Sequence, residues 1–311
     1  MPHKLMRMHR TDDPRRRPVM LAIAGDSAVG KTTITNGLVK ALGDDRCTAV
    51  CVDDYHRYDR AERKGLPFTP LHPDCNYVDI MEQHLQLLAT GHPILKPVYD
   101  HHTGSLTRPQ YIEPREFVII EGLLPLHTKL AAACFDVTVY LNPPEDIRRE
   151  WKIKRDTAKR GYTPDQVVAE LERRESESGA WIRPQRDRAD MVVRFAPIAQ
   201  RDEPPGTPLS AELLLRPTIR HPDLSAILAE SGESMHLKLS RDENGRPADT
   251  LHVHGYAPRE ASRLVEKALW DDMGEGTALP EVLGDLGDGT RSEPLAITQL
   301  LLLFHLIEAA R

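Results

Sequence analysis

The chain has 311 residues, 40% of them apolar, and a formal net charge of −6 at pH 7. Such a length fits one large domain or two small ones, and the acidic balance argues against nucleic-acid binding. Four cysteines (Cys47, Cys51, Cys75 and Cys134) show no metal-ligand spacing, and a chain this long needs no disulfide staple, so a reducing cytoplasm is the expected compartment.

Residues 1–17 carry basic side chains but no apolar stretch, which predicts a loose tail and not a secretion signal. A core is expected over 18–200. It opens with "VMLAIA" (19–24), an apolar run that stops at Gly25, followed by a helix from about Thr32 to Leu42. A second strand is predicted at 48–52. A proline-spotted loop, 57–76, then leads to a helix with Val78, Met81, Leu85 and Leu88 on one face, ended by Gly91. "FVIIEG" (117–122) and "FDVTVYL" (135–141) read as buried strands. Pro143 and Pro144 open a helix to about Arg160, stopped by Gly161. A further helix is expected at roughly 164–178 and a strand at 190–195.

Strands alternating with helices predict an α/β fold, a mostly parallel sheet covered by helices on both faces. The pattern changes near residue 200. "RDEPPGTP" (201–208) has the composition of a linker. "AELLLRP", "MHLKLSR" and "TLHVHGY" follow as strand-like pieces, with a turn at "DENGRP". The apolar run "LAITQLLLLFHLIEAA" is interrupted by Thr298, Gln299 and His305 and is too short for a membrane span. It reads as a buried terminal helix within 293–311. Residues 201–311 are therefore expected to form an α+β extension packed on the core.

"GDSAVGKT" (25–32) matches G-x-x-x-x-G-K-[ST] and sits between a buried strand and a helix, where a phosphate cradle must sit. Backbone N–H groups of Gly25, Asp26, Ser27, Ala28, Val29, Gly30, Lys31, Thr32 and Thr33 would wrap the phosphates of ATP. Lys31 would reach the β- and γ-phosphates, and the Thr32 hydroxyl would ligate Mg²⁺. Such a site needs a carboxylate at the end of a neighbouring strand, and Glu121, closing "FVIIEG", is the candidate metal ligand. "VDDYHRYDRAERK" (52–64) places two carboxylates, a histidine and several cations just after the strand at 48–52. On the helix of "WKIKRDTAKRGYT" (151–163) and the turn before it, Arg148, Lys152, Arg155 and Lys159 fall on one stripe, with Asp156 and Arg160 beside it. Such a stripe is usually a solvated face, but it is also what a kinase folds over a triphosphate.

Taken together, "GDSAVGKTT", "VDDYHRYDRAERK", "KPVYDHHTG", "VIIEGLLPL" and "WKIKRDTAKRGYT" resemble, in order and over about residues 20–200, the phosphoribulokinase and uridine kinase family of P-loop kinases. The "DDYH" form is that of the plant, cyanobacterial and archaeal phosphoribulokinase type. The resemblance implies Asp53 as general base and His56, Arg60 and Lys64 as ligands of a sugar phosphate. It implies Tyr99 and His101 on the acceptor side, Glu121 on the metal, and a lid helix carrying Lys152, Arg155, Asp156 and Arg160. Arg155, Asp156 and Lys31 are accordingly expected in the catalytic set. Asp54 receives no role. The implied activity is ATP-dependent phosphorylation of D-ribulose 5-phosphate to ribulose 1,5-bisphosphate in a cytoplasmic homodimer, with Mg²⁺ and with neither nucleic-acid nor membrane partners.

The enzyme alternative is a uridine kinase-like phosphorylation of another small alcohol. An acceptor without a phosphate should not require so many cations after the base, which argues against it. A non-catalytic nucleotide-binding regulator is the alternative of another class, disfavoured because Lys31, Asp53 and Glu121 are all present. Plant members of the family are switched off by a disulfide between a P-loop cysteine and one just before the "DDYH" carboxylates. Here Cys51 occupies the second position but Val29 the first, so activity is expected to be indifferent to dithiols.

Overall fold

A computed structural model describes residues 17–311 apart from 199–200, 202–205, 231–233, 275–277 and 288. The tail expected at 1–17 thus lies outside the described residues but for Arg17, and so do residues 202–205 of the linker expected at 201–208. In chain order the first part contains β1 (Val19–Gly25), α1 (Lys31–Leu42), β2 (Cys47–Cys51), α2 (Val78–Ala89), β3 (Ile94–Asp100) and β4 (Ser105–Ile112). It continues with β5 (Phe117–Gly122), α3 (Lys129–Ala132), β6 (Val137–Leu141), α4 (Glu145–Arg160), α5 (Pro164–Glu177) and β7 (Met191–Ala196). The second part contains β8 (Ser210–Leu215), α6 (Ser225–Glu230), β9 (Met235–Arg241), β10 (Pro247–Val253), α7 (Arg259–Met273) and α8 (Glu293–Ala310).

One eight-stranded sheet, in the order β2-β5-β1-β6-β7-β8-β10-β9, runs through the molecule. The pairs among β2, β5, β1, β6 and β7 are parallel. β8, β10 and β9 then continue the same sheet in antiparallel fashion. The mostly parallel α/β core and the α+β extension are both present, joined strand to strand.

Alternation along β1 explains the layers, because successive side chains point to opposite faces. Leu21 and Ile23 pack with Ile34 and Leu38 of α1 and with Leu300 and Leu301 of α8. Met20, one residue before Leu21, packs on the opposite face with Val118, Ile120 and Met81, Leu85 and Leu88 of α2. Strand β5 is buried along its whole length, as its unbroken apolar run requires. Helix α8 is long and apolar enough to cross a membrane by composition, yet Pro294 through Ile307 are all buried within this fold.

Several elements escape the sequence reading, among them the short helices α3 and α6. β3 and β4 pair as a separate antiparallel hairpin, in which β4 is exposed at every position but Ile112 and so shows no burial pattern. Helix α7 lies in a stretch given no element, although Val265, Leu269 and Met273 recur every fourth residue and Gly274 stops it. Finally, β2 ends at Cys51 and the paired carboxylates follow it as expected, but on a 3-10 turn, Val52–Tyr55, that the sequence reading did not assign.

Candidate active site

The nucleotide side is built where β1 meets α1. The loop between them contains the non-glycine residue Ala28 at φ 66, the left-handed conformation that turns consecutive N–H groups inward. Val29 is 2% exposed and plugs the loop onto the core. The Lys31 ammonium donates to the carbonyls of Gly25 (2.9 Å) and Asp26 (2.8 Å), which holds it across the cradle.

Glu121 closes β5, in register with Ile23 on one side and Cys51 on the other. The Thr32 hydroxyl donates to its Oε1 at 2.9 Å. Burial raises the Glu121 carboxyl above its ordinary range, against the pull of Lys31, and the neighbouring charge of Asp53 adds to the rise. A buried carboxylate strained in this way calls for a cation. Two hard oxygen donors from the protein suit a magnesium ion, which is usually bound by one or two carboxylates together with water and substrate phosphates. No cluster of three or more His, Cys, Asp or Glu suited to a metal occurs among the described residues.

On the acceptor side, the turn after β2 is anchored by buried Val52 and Tyr55, the latter bonded through its hydroxyl to His84 Nδ1 at 2.8 Å. Asp53 Oδ1 accepts the Leu123 N–H at 2.7 Å, just beyond the end of β5. Gly122 makes this approach possible, because a Cβ there would meet Val52 Cγ2 at 2.5 Å and Asp53 Oδ1 at 2.8 Å. Side chains three residues apart eclipse on a 3-10 turn, so Asp53 and His56 share one side. His56 is 4% exposed, and its Nδ1 bonds to Asn76 Oδ1 at 2.7 Å.

Asp54 has a clear task. Its Oδ2 receives the buried Lys96 ammonium of β3, and its Oδ1 receives the Tyr99 N–H at 3.3 Å. It thus pins the β3–β4 hairpin to the turn that carries Asp53. In consequence the Tyr99 ring stands edge-on to His56 at 4.8 Å and to His101 at 5.1 Å. Burial lowers the His101 pKa. Asp53 and Asp54 oppose the shift while Arg160 and Arg155 reinforce it, so the carboxylates of the turn and the cations of α4 act on one imidazole.

The four cations of the 57–64 stretch diverge, with Arg57 lying over the Tyr77 ring at 5.3 Å. Arg60 donates to the carbonyls of His101 (2.7 Å) and His102 (3.3 Å), tying down the hairpin turn. Lys64 is exposed to solvent. Arg63, to which the sequence reading gave no role, turns inward. It bonds to the Tyr99 hydroxyl and lies 5.0 Å over that ring, and its buried Nη1 has no hydrogen-bond partner.

Helix α4 lies against the cradle. Arg155 donates to Ser27 Oγ at 3.2 Å, and Arg148 lies 3.4 Å from the Ser27 carbonyl and 3.5 Å from Asp26. Asp156, 1% exposed, accepts from Lys152 at 2.7 Å and from Arg155 at 2.8 Å, with Arg160 at 3.5 Å. Burial alone would raise its carboxyl, but the bonds from Arg155 and Lys152 hold it below the usual range. Lys152 is itself buried between Asp156 and Glu170, so in this structure its charge is spent between α4 and α5. Arg155 and Arg160 are the cations of this set that keep about a third of their side-chain surface open.

The cradle, Glu121, Asp53, His56, Tyr99, His101 and the lid cations therefore meet in one place. Lys96, Arg63, Asn76 and Arg148 also belong to it. Lys96 was visible as the first residue of "KPVYDHHTG", whereas the inward turn of Arg63 has no sequence signal. All four cysteines are free thiols. Cys51 is pushed well above its ordinary pKa by burial and then by the carboxylates of Asp53 and Glu121.

Residues 20–200 match the Phosphoribulokinase / Uridine kinase family. The chain is 39% identical over 181 residues to the phosphoribulokinase of Synechocystis sp. (strain ATCC 27184 / PCC 6803 / Kazusa), covering 58% of this chain and 54% of that protein. It is 31% identical over 222 residues to the chloroplastic phosphoribulokinase of Triticum aestivum, covering 66% and 55%. It is also 30% identical over 189 residues to the uridine kinase of Lactiplantibacillus plantarum (strain ATCC BAA-793 / NCIMB 8826 / WCFS1), covering 59% and 90%. The chain thus spans about half the length of these phosphoribulokinases. Among solved structures, phosphoribulokinase from Rhodobacter spheroides shares the fold, with a TM-score of 0.58 and 19% identity, covering 83% of this chain and 97% of that one.

Proposed function

The chain belongs to the phosphoribulokinase and uridine kinase family, and from that premise we propose that it transfers the γ-phosphoryl group of ATP to D-ribulose 5-phosphate, giving ribulose 1,5-bisphosphate. The observation that carries this reading is the acceptor side. A carboxylate, Asp53, stands beside the cradle next to a buried histidine and a half-buried arginine, Arg63, whose Nη1 is buried and unmatched. A base alone would serve any alcohol. An inward guanidinium with a free donor suits an acceptor that already carries a phosphate.

In this reading Asp53 takes the proton of the attacking hydroxyl, its carboxylate aimed by the Leu123 N–H. Phosphoryl transfer passes through a loose, anionic transition state, so most of the catalysis is positioning and charge stabilisation. Lys31, Arg155 and Arg160 supply positive charge around the transferring group, and Asp156 holds the two arginines in place. Arg63 takes the 5-phosphate, with Arg60 and Lys64 as outer cations. Thr32 and Glu121 would hold the magnesium ion that enters with ATP, which supplies charge neutralisation on the β- and γ-phosphates. The same reading makes the protein a cytoplasmic homodimer whose activity is indifferent to dithiols. The test is ADP release measured with ribulose 5-phosphate and with uridine. Faster release with the sugar phosphate supports the reading, and faster release with uridine overturns it.

A further inference from the structure

His56 lies at the centre of the acceptor side, and hydrogen-bond accounting determines which of its nitrogens carries the proton. Its partner Asn76 is 6% exposed. The Asn76 Nδ2 group donates to the carbonyls of Pro70 at 3.0 Å and His72 at 2.9 Å. Carbonyl oxygens only accept, so the amide has one workable orientation. Turning it over would set Oδ1 against two other oxygens and take the Asn76 donor away from both carbonyls, of which His72 would keep only the Cys75 N–H. Oδ1 therefore faces His56, and at 2.7 Å it requires an N–H on Nδ1.

The backbone holds this arrangement in register. His56 and Asn76 form an antiparallel bridge, Arg57 N–H donates to Cys75 O at 2.8 Å, and Tyr77 N–H donates to Tyr55 O at 2.8 Å. A neutral imidazole protonated at Nδ1 has a bare lone pair on Nε2. The imidazole is neutral here: burial and then the Arg63 charge lower its pKa to about 4, with Asp53 and Asn76 opposing the shift and His101 reinforcing it. Tyr99, the remaining neighbour, meets the ring edge-on.

We infer that Asn76 is a positioning residue that fixes His56 as the Nδ1–H tautomer, so that Nε2 accepts a hydrogen bond from a hydroxyl of the sugar acceptor and does not hold its phosphate. This rests on the proposed reading of the site as one for a sugar phosphate. A bare nitrogen attracts a hydroxyl hydrogen and repels phosphate oxygens. Because Asp53 and His56 share one side of the 3-10 turn, the hydroxyl held by His56 neighbours the one that Asp53 deprotonates. Asn76 thereby sets the acceptor's orientation through an atom it never touches.

The experiment has three parts on the full chain. In wild-type protein labelled with ¹⁵N-histidine, with His56 assigned through the His56→Asn variant, the Nδ1 shift is expected to be pyrrole-like and the Nε2 shift pyridine-like from pH 6 to 8. A protonated Nε2 overturns the inference. His56→Gln keeps an amide near the Nε2 position and His56→Asn keeps one near Nδ1. The glutamine variant, which gives up the Asn76 bond, should lose roughly tenfold and the asparagine variant, which gives up the acceptor of the sugar hydroxyl, roughly a hundredfold in kcat/KM for ribulose 5-phosphate. Equal losses, or the reverse order, overturn it. In Asn76→Asp the carboxylate facing Nδ1–H should raise the His56 midpoint by more than one unit and make the acceptor KM climb as pH falls. An unchanged His56 titration overturns it. Wild-type protein without activity on any sugar phosphate would sink the proposed function, whereas the tautomer measurement still reads the Asn76 lock by itself.

Discussion

The parallel and antiparallel halves of the sheet share one core but do different work. In the parallel half, β1, β2 and β5 all point their carboxyl ends to one rim. The cradle, the Asp53 turn and Glu121 emerge there side by side, as expected where α/β sheets place their ligands. In the antiparallel half, neighbouring strands end on opposite sides, so no such rim forms. Leu213, Leu251 and Val253 instead join the apolar cluster that contains Leu21 and Ile23. The second half supports the first through α8. Gln299, fully buried, accepts the Gly284 N–H at 2.8 Å and points its Nε2 at the Thr33 and Ile34 carbonyls of α1, while Gly37 leaves room for its amide. The family match over residues 20–200 coincides with the half that carries the chemistry.

If the division is sound, changes on the rim alter rate or acceptor binding, and changes in the antiparallel half alter stability. The largest effect belongs to Asp53→Asn, which should lower kcat by about 10²–10⁴ with unchanged Tm and ATP binding, the usual range for loss of a general base. Near-normal turnover would remove Asp53 from the mechanism. Next comes Lys96→Met, which releases the hairpin from Asp54. It should raise the KM for ribulose 5-phosphate roughly ten- to hundredfold, the size of a charge-assisted contact of about 1.5–3 kcal/mol, and spare the KM for ATP. An equal loss of both affinities would mean that the hairpin does not place acceptor residues.

Across the divide, Gln299→Leu leaves the Gly284 N–H buried without its acceptor and should cost about 1–3 kcal/mol, seen as a lower Tm. Turnover at a permissive temperature should stay within about twofold. A fall in kcat comparable to that of Asp53→Asn would erase the distinction between the halves.

The smallest effect is shared by both. Burial lowers His56 to about 4 and His305, which also faces His221, to about 3, against an ordinary value of 6.5. The unfolded chain binds more protons than the folded one between those values and 6.5, so stability rises with pH across that window and is lost on acidification. Going from pH 7 to pH 6 should cost roughly half to one kcal/mol at each histidine, read from denaturant midpoints. A protein more stable at pH 6 would contradict the neutral, buried state of both.

Legibility in the sequence follows the same division. The parallel half could be read because unbroken apolar runs such as "FVIIEG" mean strands covered on both faces, and because the cradle must lie between a strand and a helix. The hairpin could not, since β4 is exposed along nearly its whole length and burial left no pattern in it. Asp54 looked idle because its partner, Lys96, is 42 residues away. Lys152 looked like a ligand because a helical stripe does not reveal that α5 will supply Glu170. Adjacent Arg63 and Lys64 are equivalent by composition, and only the fold of the 57–64 stretch turns one toward Tyr99. Strand pairing was also out of reach, so the second half read as an extension while it continues the sheet.

The central claim is that the rim accepts an alcohol that already bears a phosphate. The most direct measurement compares kcat/KM for ribulose 5-phosphate with that for ribulose, with the product identified by ³¹P NMR. Removing the phosphate takes away a charge-assisted contact with Arg63 and its neighbours, worth about 1.5–3 kcal/mol for each bond lost. The account predicts a bisphosphate product and a preference of at least about a hundredfold for ribulose 5-phosphate. Equal rates with the two sugars, or no bisphosphate formed from ribulose 5-phosphate, would contradict it.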